Sequence, residues 1–234
     1  MKLGIMQPYF MPYLGYWQLM SAVDVFVIYD DGHYRPRGWI NRNRVLINGK
    51  PSYITVPLSN ASPNVLIKDV SVSQETQFKD KIIKTLECSY SRADHFRDTM
   101  DLIEPTVRSD ESNLVTYLMK GINEIKSYLG IDTKIVFSSE IPKRNDMGVV
   151  EKIIDICNYF GADKYYNAIG GRELYFQEDF ENENIELSFL KMGDIVYSQP
   201  CKEFVPQLSI IDILMFNERH DVIKMLEEYE LIKG

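Results

Sequence analysis

Side chains that could do chemistry are concentrated near the start of this chain, in three groups. The first runs from residue 7 to 16, the second is Asp30-Asp31, and the third runs from residue 39 to 44. Tyrosine and amide groups offer neutral hydrogen-bond donors, and arginine guanidinium groups match phosphate or carboxylate oxygens in pairs. This chemistry suits a polar, anionic small molecule.

The first group is predicted to line a substrate site. It supplies the residues Gln7, Tyr9, Tyr13, Gly15 and Tyr16. An amide is costly to bury without a partner, so Gln7 either contacts a ligand or braces its loop. The tyrosines either contact the ligand or are core aromatics that pack the loop.

Asp30 and Asp31 follow a run of apolar residues. They either pair with Arg42 or Arg44, or bind a sugar hydroxyl, an amine or a magnesium ion. Two aspartates alone are a weak metal signal, because hard cations need further oxygen ligands, so no metal site is predicted. Asp31 and the nearby His33 are the candidate catalytic residues, as acceptors of a proton from an amine.

The third group has the strongest polar pattern in the chain. It contains Trp39, Asn41, Arg42, Asn43 and Arg44. In an extended segment the two arginines share one face and the two asparagines the other. One face would then hold an anion and the other brace loops, unless the segment is a solvated hairpin.

Two repeats of the order strand, helix, strand are predicted to position these groups. The first has strands at residues 2–6 and 25–29 around a helix at 16–22. The second has strands at 134–139 and 164–168 around a helix at 149–160, and is followed by Gly170, Gly171 and Arg172. These three residues form either a phosphate-binding loop or a plain turn. Ligands of open α/β sheets collect at the carboxyl ends of the strands, where all these groups fall.

The remaining pattern predicts one α/β domain over residues 1–234, with a mostly parallel sheet and helices on both faces. Asn48-Gly49 indicates a hairpin before a strand at 51–58, and helical spacing appears at 77–87, 96–103 and 113–129. The helices within residues 73–130 are expected to form an insertion or lid. A strand at 185–190 and helices at 209–216 and 220–229 complete the prediction.

Composition excludes several classes of function. A net charge of −8 and a pI near 5.0 argue against a nucleic-acid-binding surface, although four arginines at positions 35–44 form a local basic patch. Three cysteines without CxxC spacing argue against disulfides and zinc. With no signal peptide and no long apolar run, the expected location is the cytoplasm.

Five blocks of sequence, in order, resemble the WbqC-like family. They are Ile5-Met6-Gln7-Pro8-Tyr9-Phe10, Pro12-Tyr13-Leu14-Gly15-Tyr16, Asp24 to Asp31, Gly38 to Arg44, and Leu208 to Leu214. The resemblance implies a role in bacterial O-antigen and polysaccharide biosynthesis, where transfer of glycine to a sugar has been suggested for some members. The chain departs from the family pattern at Gly32-His33-Tyr34.

A fainter resemblance is to the nucleotidylyltransferase and pantothenate synthetase fold. Tyr13 and Tyr16 hold the positions of the two histidines in the His-x-Gly-His loop of those enzymes. Tyrosine cannot supply imidazolium charge, but a nucleotide phosphate at the helix N-terminus remains compatible with the sequence. Acyl adenylation followed by attack of an amino sugar would fit this resemblance.

Together these features predict a transferase that attaches an acyl or aminoacyl group to a nucleotide-linked or carrier-linked amino sugar. Gln7, Tyr13 and Tyr16 would line the sugar or phosphate site, and Arg42, Arg44 and Arg172 would hold phosphates. ATP or magnesium is compatible with this reaction but not required by the sequence. The alternatives are a non-catalytic sugar-binding component of an assembly and a metal-dependent hydrolase. The aromatic residues could equally cover a subunit interface of a homo-oligomer.

Overall fold

The computed structural model describes residues 1–144 and 146–234. The protein is a mixed α/β fold, as predicted. In chain order its strands and helices are β1 (Lys2–Met6), α1 (Leu14–Ser21), β2 (Val25–Ile28), β3 (Arg42–Ile47), β4 (Lys50–Thr55), β5 (Leu58–Ser59), β6 (Ser71–Val72), α2 (Gln77–Tyr90), α3 (Phe96–Val107), α4 (Leu114–Leu129), β7 (Lys134–Phe137), α5 (Val149–Phe160), β8 (Lys164–Ala168), α6 (Gln177–Glu181), β9 (Glu186–Met192), α7 (Ile210–Phe216), α8 (Arg219–Met225) and β10 (Tyr229–Lys233).

The central sheet has six strands within the described residues, in the order β10-β9-β8-β1-β2-β7. The pairs β1–β2, β2–β7, β1–β8 and β8–β9 are parallel, and β10 is antiparallel to β9. The prediction of a mostly parallel sheet is therefore confirmed. After β1 the chain forms β2 and β7 on one side of it, and then crosses back to form β8, β9 and β10 on the other side. The chain connections therefore run in opposite directions on the two sides of the boundary between β1 and β8.

Helices cover both faces of this sheet, as the sequence predicts. Phe26 and Ile28 of β2 pack into one hydrophobic core together with α1 and α4. Val25 and Val27 point the other way and pack against Ile153 on α5. Successive residues of a strand face opposite sides, so a continuous apolar run is what a strand buried on both faces requires.

The predicted turns are confirmed. Asn48 and Gly49 have φ values of 52° and 71° and join β3 to β4 in an antiparallel hairpin. Gly130 and Gly161 have φ values of 70° and 63° and end α4 and α5. The predicted strand at 51–58 is shorter, because β4 ends before Pro57, which cannot donate to a ladder.

The predicted final helix at 220–229 is wrong in its second half. Helix α8 ends at Met225, and residues from Tyr229 form β10 instead. The buried amide of Gln18 donates to the carbonyls of Met225 and Glu228, at 2.7 and 2.9 Å, and so holds the end of α8. This contact spans more than two hundred residues, so local periodicity does not reveal it.

The helices α2, α3 and α4 lie between β6 and β7 in the chain, inside the predicted insertion at residues 73–130. They pack into the same hydrophobic core as α1 and one face of the sheet. Across the described parts of the chain, no helix is both long and apolar enough to cross a membrane.

Candidate functional site

A cleft of about 1640 Å³ opens at the carboxyl ends of the parallel strands. It is lined by the last residue of β1, Met6, with Gln7 after it, and by the last residue of β8, Ala168, with Gly170 after it. These two strands are the neighbours between which the chain connections diverge, and α/β sheets bind their ligands in the crevice at that point. The position of the cleft therefore follows from the strand order.

Many of the residues predicted from sequence line this cleft. They are Gln7, Tyr9, Tyr13, Gly15, Asp31, His33, Trp39, Asn43, Gly170 and Gly171. The other predicted residues are not among those that line it, namely Tyr16, Asp30, Asn41, Arg42, Arg44 and Arg172. Tyr16 is fully buried and packs 5.6 Å from the ring of Tyr9, while Arg172 is exposed.

Side chains that donate hydrogen bonds to its backbone carbonyl groups fix the loop from β1 to α1. Asn43 donates to the carbonyls of Phe10 and Met11 at 3.1 and 2.8 Å, and Ser209 donates to that of Met11 at 2.7 Å. Trp17 donates to the carbonyl of Pro12 at 3.1 Å. Met11 has a φ of 45°, which costs free energy for a residue with a side chain. The surrounding donors thus maintain a strained loop that carries Tyr9 and Tyr13 into the cleft.

Three glycines support side chains of the cleft lining. A Cβ on Gly15 would lie 2.5 Å from the ring of Tyr13. A Cβ on Gly32 would lie 2.7 Å from the ring of Tyr29, and one on Gly171 would lie 2.8 Å from the amide of Asn167. Tyr13, Tyr29 and Asn167 all line the cleft. The glycines therefore leave the space that these side chains occupy.

Gly171→Ala is expected to lower stability by about 1–3 kcal/mol. The new Cβ displaces Asn167, whose amide donates to the hydroxyl of Tyr165 at 3.0 Å and whose oxygen accepts from the backbone of Ala168 at 2.7 Å. The matched control is Gly170→Ala, where an added Cβ meets no atom within 4 Å. Urea unfolding of both variants checks this, and equal stabilities would contradict it.

Tyrosine side chains form much of the cleft surface. Within the described residues, five of them line it: Tyr9, Tyr13, Tyr29, Tyr34 and Tyr175. Burial raises the pKa of Tyr9 to about 12, with the neighbouring Tyr13 adding to the shift. Burial and then the charge of Asp31 raise the pKa of Tyr29 to about 12. These hydroxyls therefore stay protonated and can donate hydrogen bonds to a ligand.

Stability is expected to fall between pH 10 and 12. Unfolded tyrosines ionise near pH 10, whereas native Tyr9 and Tyr29 resist ionisation until about pH 12. The unfolded state therefore releases protons first as pH rises through this window, and unfolding becomes more favourable. Urea midpoints across the window measure the fall, and Tyr29→Phe should make it shallower. Native tyrosinate absorbance that rose fully near pH 10 would contradict this prediction.

Asp30 and Asp31 hold the turn that follows β7. Asp30 accepts from the backbone of Ser139 at 2.9 Å and from its hydroxyl at 2.6 Å. Asp31 accepts from the hydroxyl of Ser138 and pairs with Lys143 at 2.6 Å, where the two side chains are only 13% and 3% exposed. The partners of these aspartates are therefore serines and a lysine, rather than Arg42 or Arg44.

The segment from Asn41 to Arg44 has the two-faced arrangement predicted from its sequence. Asn41 is buried and bonds to the hydroxyl of Tyr34 and the carbonyl of Val56, at 3.0 and 2.7 Å. The guanidinium of Arg42 lies 4.2 Å from the centre of the Tyr53 ring, and that of Arg44 lies 5.7 Å from the centre of the Trp39 ring. The asparagines therefore brace loops, while the arginines stack on aromatic rings beside the cleft.

The cleft is lined by basic residues that were not among the predicted site residues. Five lysine or arginine side chains of the described chain line it, against two acidic ones. The basic residues are Arg35, Lys68, Lys143, Lys152 and Lys191, and the acidic residues are Asp31 and Asp194. The whole chain has a net charge of −8, so this excess of basic over acidic side chains is a local feature of the cleft. The carboxyl-end rule, applied to β7 as well, would have indicated Ser138 and Lys143.

One side of the cleft, which we call the basic wall, consists of His33, Arg35 and Lys68. Backbone hydrogen bonds fix these residues together: Tyr34 donates to Val65 at 2.8 Å, and Lys68 donates to Asp30 at 2.8 Å. His33 is exposed. Within the part of the chain that the structure describes, the Gln7 side chain makes no hydrogen bond, and no group of three or more potential ligand side chains could hold a metal ion.

Fold and cleft together define an α/β protein with a cleft at the carboxyl edge of a mostly parallel sheet. The chain belongs to the WbqC-like protein family, whose sequence profile matches residues 7–224. It is also similar to the Mycobacterium tuberculosis protein named "Uncharacterized protein Rv1507c", at 30% identity over 216 residues, 91% of this chain and 92% of the relative. No solved structure matches the chain.

Proposed function

We propose that the protein is a cytoplasmic transferase of O-antigen or polysaccharide biosynthesis that attaches an acyl or aminoacyl group, such as glycyl, to a nucleotide-linked amino sugar. The observation that supports this most is the cleft lining, in which tyrosines and basic side chains meet at the sheet edge of an acidic protein. Tyrosine rings and hydroxyls suit a sugar, and lysine and arginine suit its phosphates.

Two residues of the basic wall, Arg35 and Lys68, form the proposed phosphate site. Lys68 and Arg35 line the cleft, whereas Arg42 and Arg44 stack on aromatic rings and Arg172 lies outside the lining. The phosphate role that the sequence suggested for those three arginines therefore passes, in this proposal, to Lys68 and Arg35. Gln7 and Tyr13 would contact the sugar, because both line the cleft beside β1.

The transfer step requires a proton acceptor. The amine nitrogen of the sugar attacks the acyl carbonyl, a C–N bond forms, the bond from the carbonyl to its leaving group breaks, and the amine loses a proton. Of the two candidates, His33 is exposed in the cleft, whereas Asp31 is paired with Lys143 and Ser138. We therefore assign His33 as the acceptor of the amine proton. Asp31 positions the turn that follows β7.

The first test is a shift of melting temperature with nucleotide-linked amino sugars, nucleoside diphosphates and ATP. A ligand at a hundred times its Kd stabilises the native state by about 2.7 kcal/mol, a rise of roughly 5–10 °C. Lys68→Ala should weaken binding about tenfold or more, since it removes a charge-assisted hydrogen bond. Lys120→Ala, at an exposed position on α4, is the control. No shift with any of these ligands would contradict the proposal.

A non-catalytic sugar-binding component is the second candidate. Two features support it. Tyr13 and Tyr16 hold the positions of the two histidines in the nucleotidylyltransferase and pantothenate synthetase loop that the sequence faintly resembles, and Asp31 is already paired with a lysine. Product formation separates the two functions, because a binding component makes no product. His33→Ala should abolish turnover while leaving the ligand-induced melting shift within about 2 °C. Turnover that survived this change would remove His33 as the proton acceptor.

A further inference from the structure

Four aliphatic side chains at the edge of the cleft are unusually exposed. They are Val149, Ile169, Leu174 and Val196, with exposures of 53%, 36%, 62% and 71%, and we call them the apolar mouth. All four line the cleft, and they come from three separate parts of the chain, because Ile169 and Leu174 both follow β8. Single exposed apolar residues are ordinary, but several that converge on one cleft indicate a binding surface.

The side chains change character from the floor of the cleft to its mouth, and α5 shows this most directly. Ile153 is 3% exposed, Lys152 is half-buried, and Val149, one turn earlier, is 53% exposed. All three line the cleft. On this side exposure therefore falls from an apolar side chain at the mouth, through a lysine, to a buried isoleucine.

Strand β9 and the segment that follows it also run from a buried to an exposed apolar side chain. Leu190 on β9 is 2% exposed and lines the cleft, and Val196 at the mouth is 71% exposed. Lys191 is 55% exposed and lies 3.9 Å from Glu230 on β10, so α5 alone places a half-buried lysine below the apolar mouth. A cleft of about 1640 Å³ is also larger than the roughly 300–1,000 Å³ of most small-molecule sites, so it has room for a ligand longer than a nucleotide-linked sugar.

We propose that the cleft also accepts a sugar joined through phosphate to a long hydrocarbon chain. The sugar would lie on the tyrosines, the phosphate beside Lys152, and the hydrocarbon chain on the apolar mouth. This inference rests on the proposed function for the sugar and adds a lipid carrier as an alternative to the nucleotide. The order sugar, phosphate, hydrocarbon matches the order of buried floor, half-buried Lys152 and exposed apolar mouth along α5.

Calorimetric titration with farnesyl phosphate, dimethylallyl phosphate and inorganic phosphate tests this, at concentrations below micelle formation. Farnesyl phosphate should bind at least about tenfold more tightly than dimethylallyl phosphate, because the longer chain buries more apolar surface. Lys152→Ala should weaken both. Equal affinities for the two chain lengths would overturn the proposal and leave the apolar mouth to another occupant, such as a protein partner.

Val196→Asp and Leu174→Asp should each weaken farnesyl phosphate about tenfold and leave inorganic phosphate unchanged. Both positions are exposed, so the variants should fold, and circular dichroism checks this. The matched control is Leu231→Asp, because Leu231 is 41% exposed on β10 and is not among the cleft residues. An equal loss in the control would indicate non-specific adsorption and overturn the proposal.

The same variants separate this inference from the proposed function. Val196→Asp should keep the melting shift caused by a nucleotide-linked sugar, because that ligand does not reach the apolar mouth. If the protein responds to nucleotide-linked sugar but binds the two prenyl phosphates equally well, the proposed function stands and the lipid carrier is rejected. If it binds farnesyl phosphate but no nucleotide-linked sugar, the nucleotide-linked acceptor is rejected instead.

Discussion

Lys143→Met is expected to lower the free energy of unfolding by about 3 kcal/mol or more. Lys143 is 3% exposed and lies 2.6 Å from Asp31, which is 13% exposed. Its ammonium group also donates to the carbonyl of Ser138. Removing the lysine leaves a carboxylate that is shielded from water and has lost its counter-charge, which costs far more than losing an exposed ion pair. Urea unfolding followed by circular dichroism measures the loss.

Lys152→Met is the control for this change. Lys152 also lines the cleft, and the described structure gives it no ion pair, so its loss should cost less than about 1 kcal/mol. The double variant Lys143→Met with Asp31→Asn should be more stable than the sum of the single effects predicts, because the second change removes the uncompensated charge. Strict additivity would show that Lys143 and Asp31 do not act as a pair.

Asp212→Ala is expected to cost about 3–5 kcal/mol. Asp212 is fully buried, and its two carboxylate oxygens accept from the hydroxyls of Tyr90 and Tyr197, each at 2.6 Å. Gln199 donates to it as well, at 3.0 Å. Burial raises the pKa of Asp212, and these hydrogen bonds act in the opposite direction. The alanine variant leaves three donors without their acceptor inside the protein.

Asp212→Asn separates charge from hydrogen bonding. The amide keeps one oxygen acceptor but turns a donor towards Tyr197 and Gln199, so we expect an intermediate loss of about 1–3 kcal/mol. Asp221→Ala is the control, because Asp221 is 44% exposed on α8 and should cost less than about 1 kcal/mol. Similar losses for Asp212→Ala and Asp221→Ala would show that the buried network adds little.

The same network also bears on the cleft. The side-chain amide of Gln199 donates to the carbonyl of Val205 at 3.1 Å and accepts from the backbone N–H of Val205 at 2.8 Å. These two bonds fix the segment between β9 and α7. Val196, Phe204 and Gln207 of that segment line the cleft. Asp212→Ala should therefore weaken ligand binding even at temperatures where the variant is folded. Titration calorimetry well below the melting temperature checks this.

The elements that carry the site were predictable, because apolar runs and helical spacing are local signals. The rule that ligands collect at the carboxyl ends of strands placed Gln7, Asp31 and Gly170 correctly at one cleft. It was not applied to the strand that precedes Ser138, and so Lys143 was missed. The cleft also includes the segment after β9, which has no regular pattern and takes its shape from buried contacts with Asp212.

The arginines illustrate a different limit. Their alternation with Asn41 and Asn43 predicted which face each side chain occupies, and that face is confirmed. What they contact depends on the hairpin and on Trp39: Arg42 stacks on Tyr53, which lies opposite Arg44 in the register, and Arg44 stacks on Trp39. Aromatic rings close to a guanidinium compete with a phosphate for it. Sequence spacing within one strand does not contain that information.

The loop that carries Tyr9 and Tyr13 has a consequence for the order of folding. Its strained Met11 is held by Asn43 and by Ser209, which lies 198 positions further along the chain. A chain emerging from the ribosome therefore completes its first α/β unit long before it can complete this loop. Contacts of such sequence separation form late and slow the final step of folding. The cleft should thus mature after the five parallel strands of the sheet, and a chain cut before Ser209 would keep secondary structure and lose its ligand.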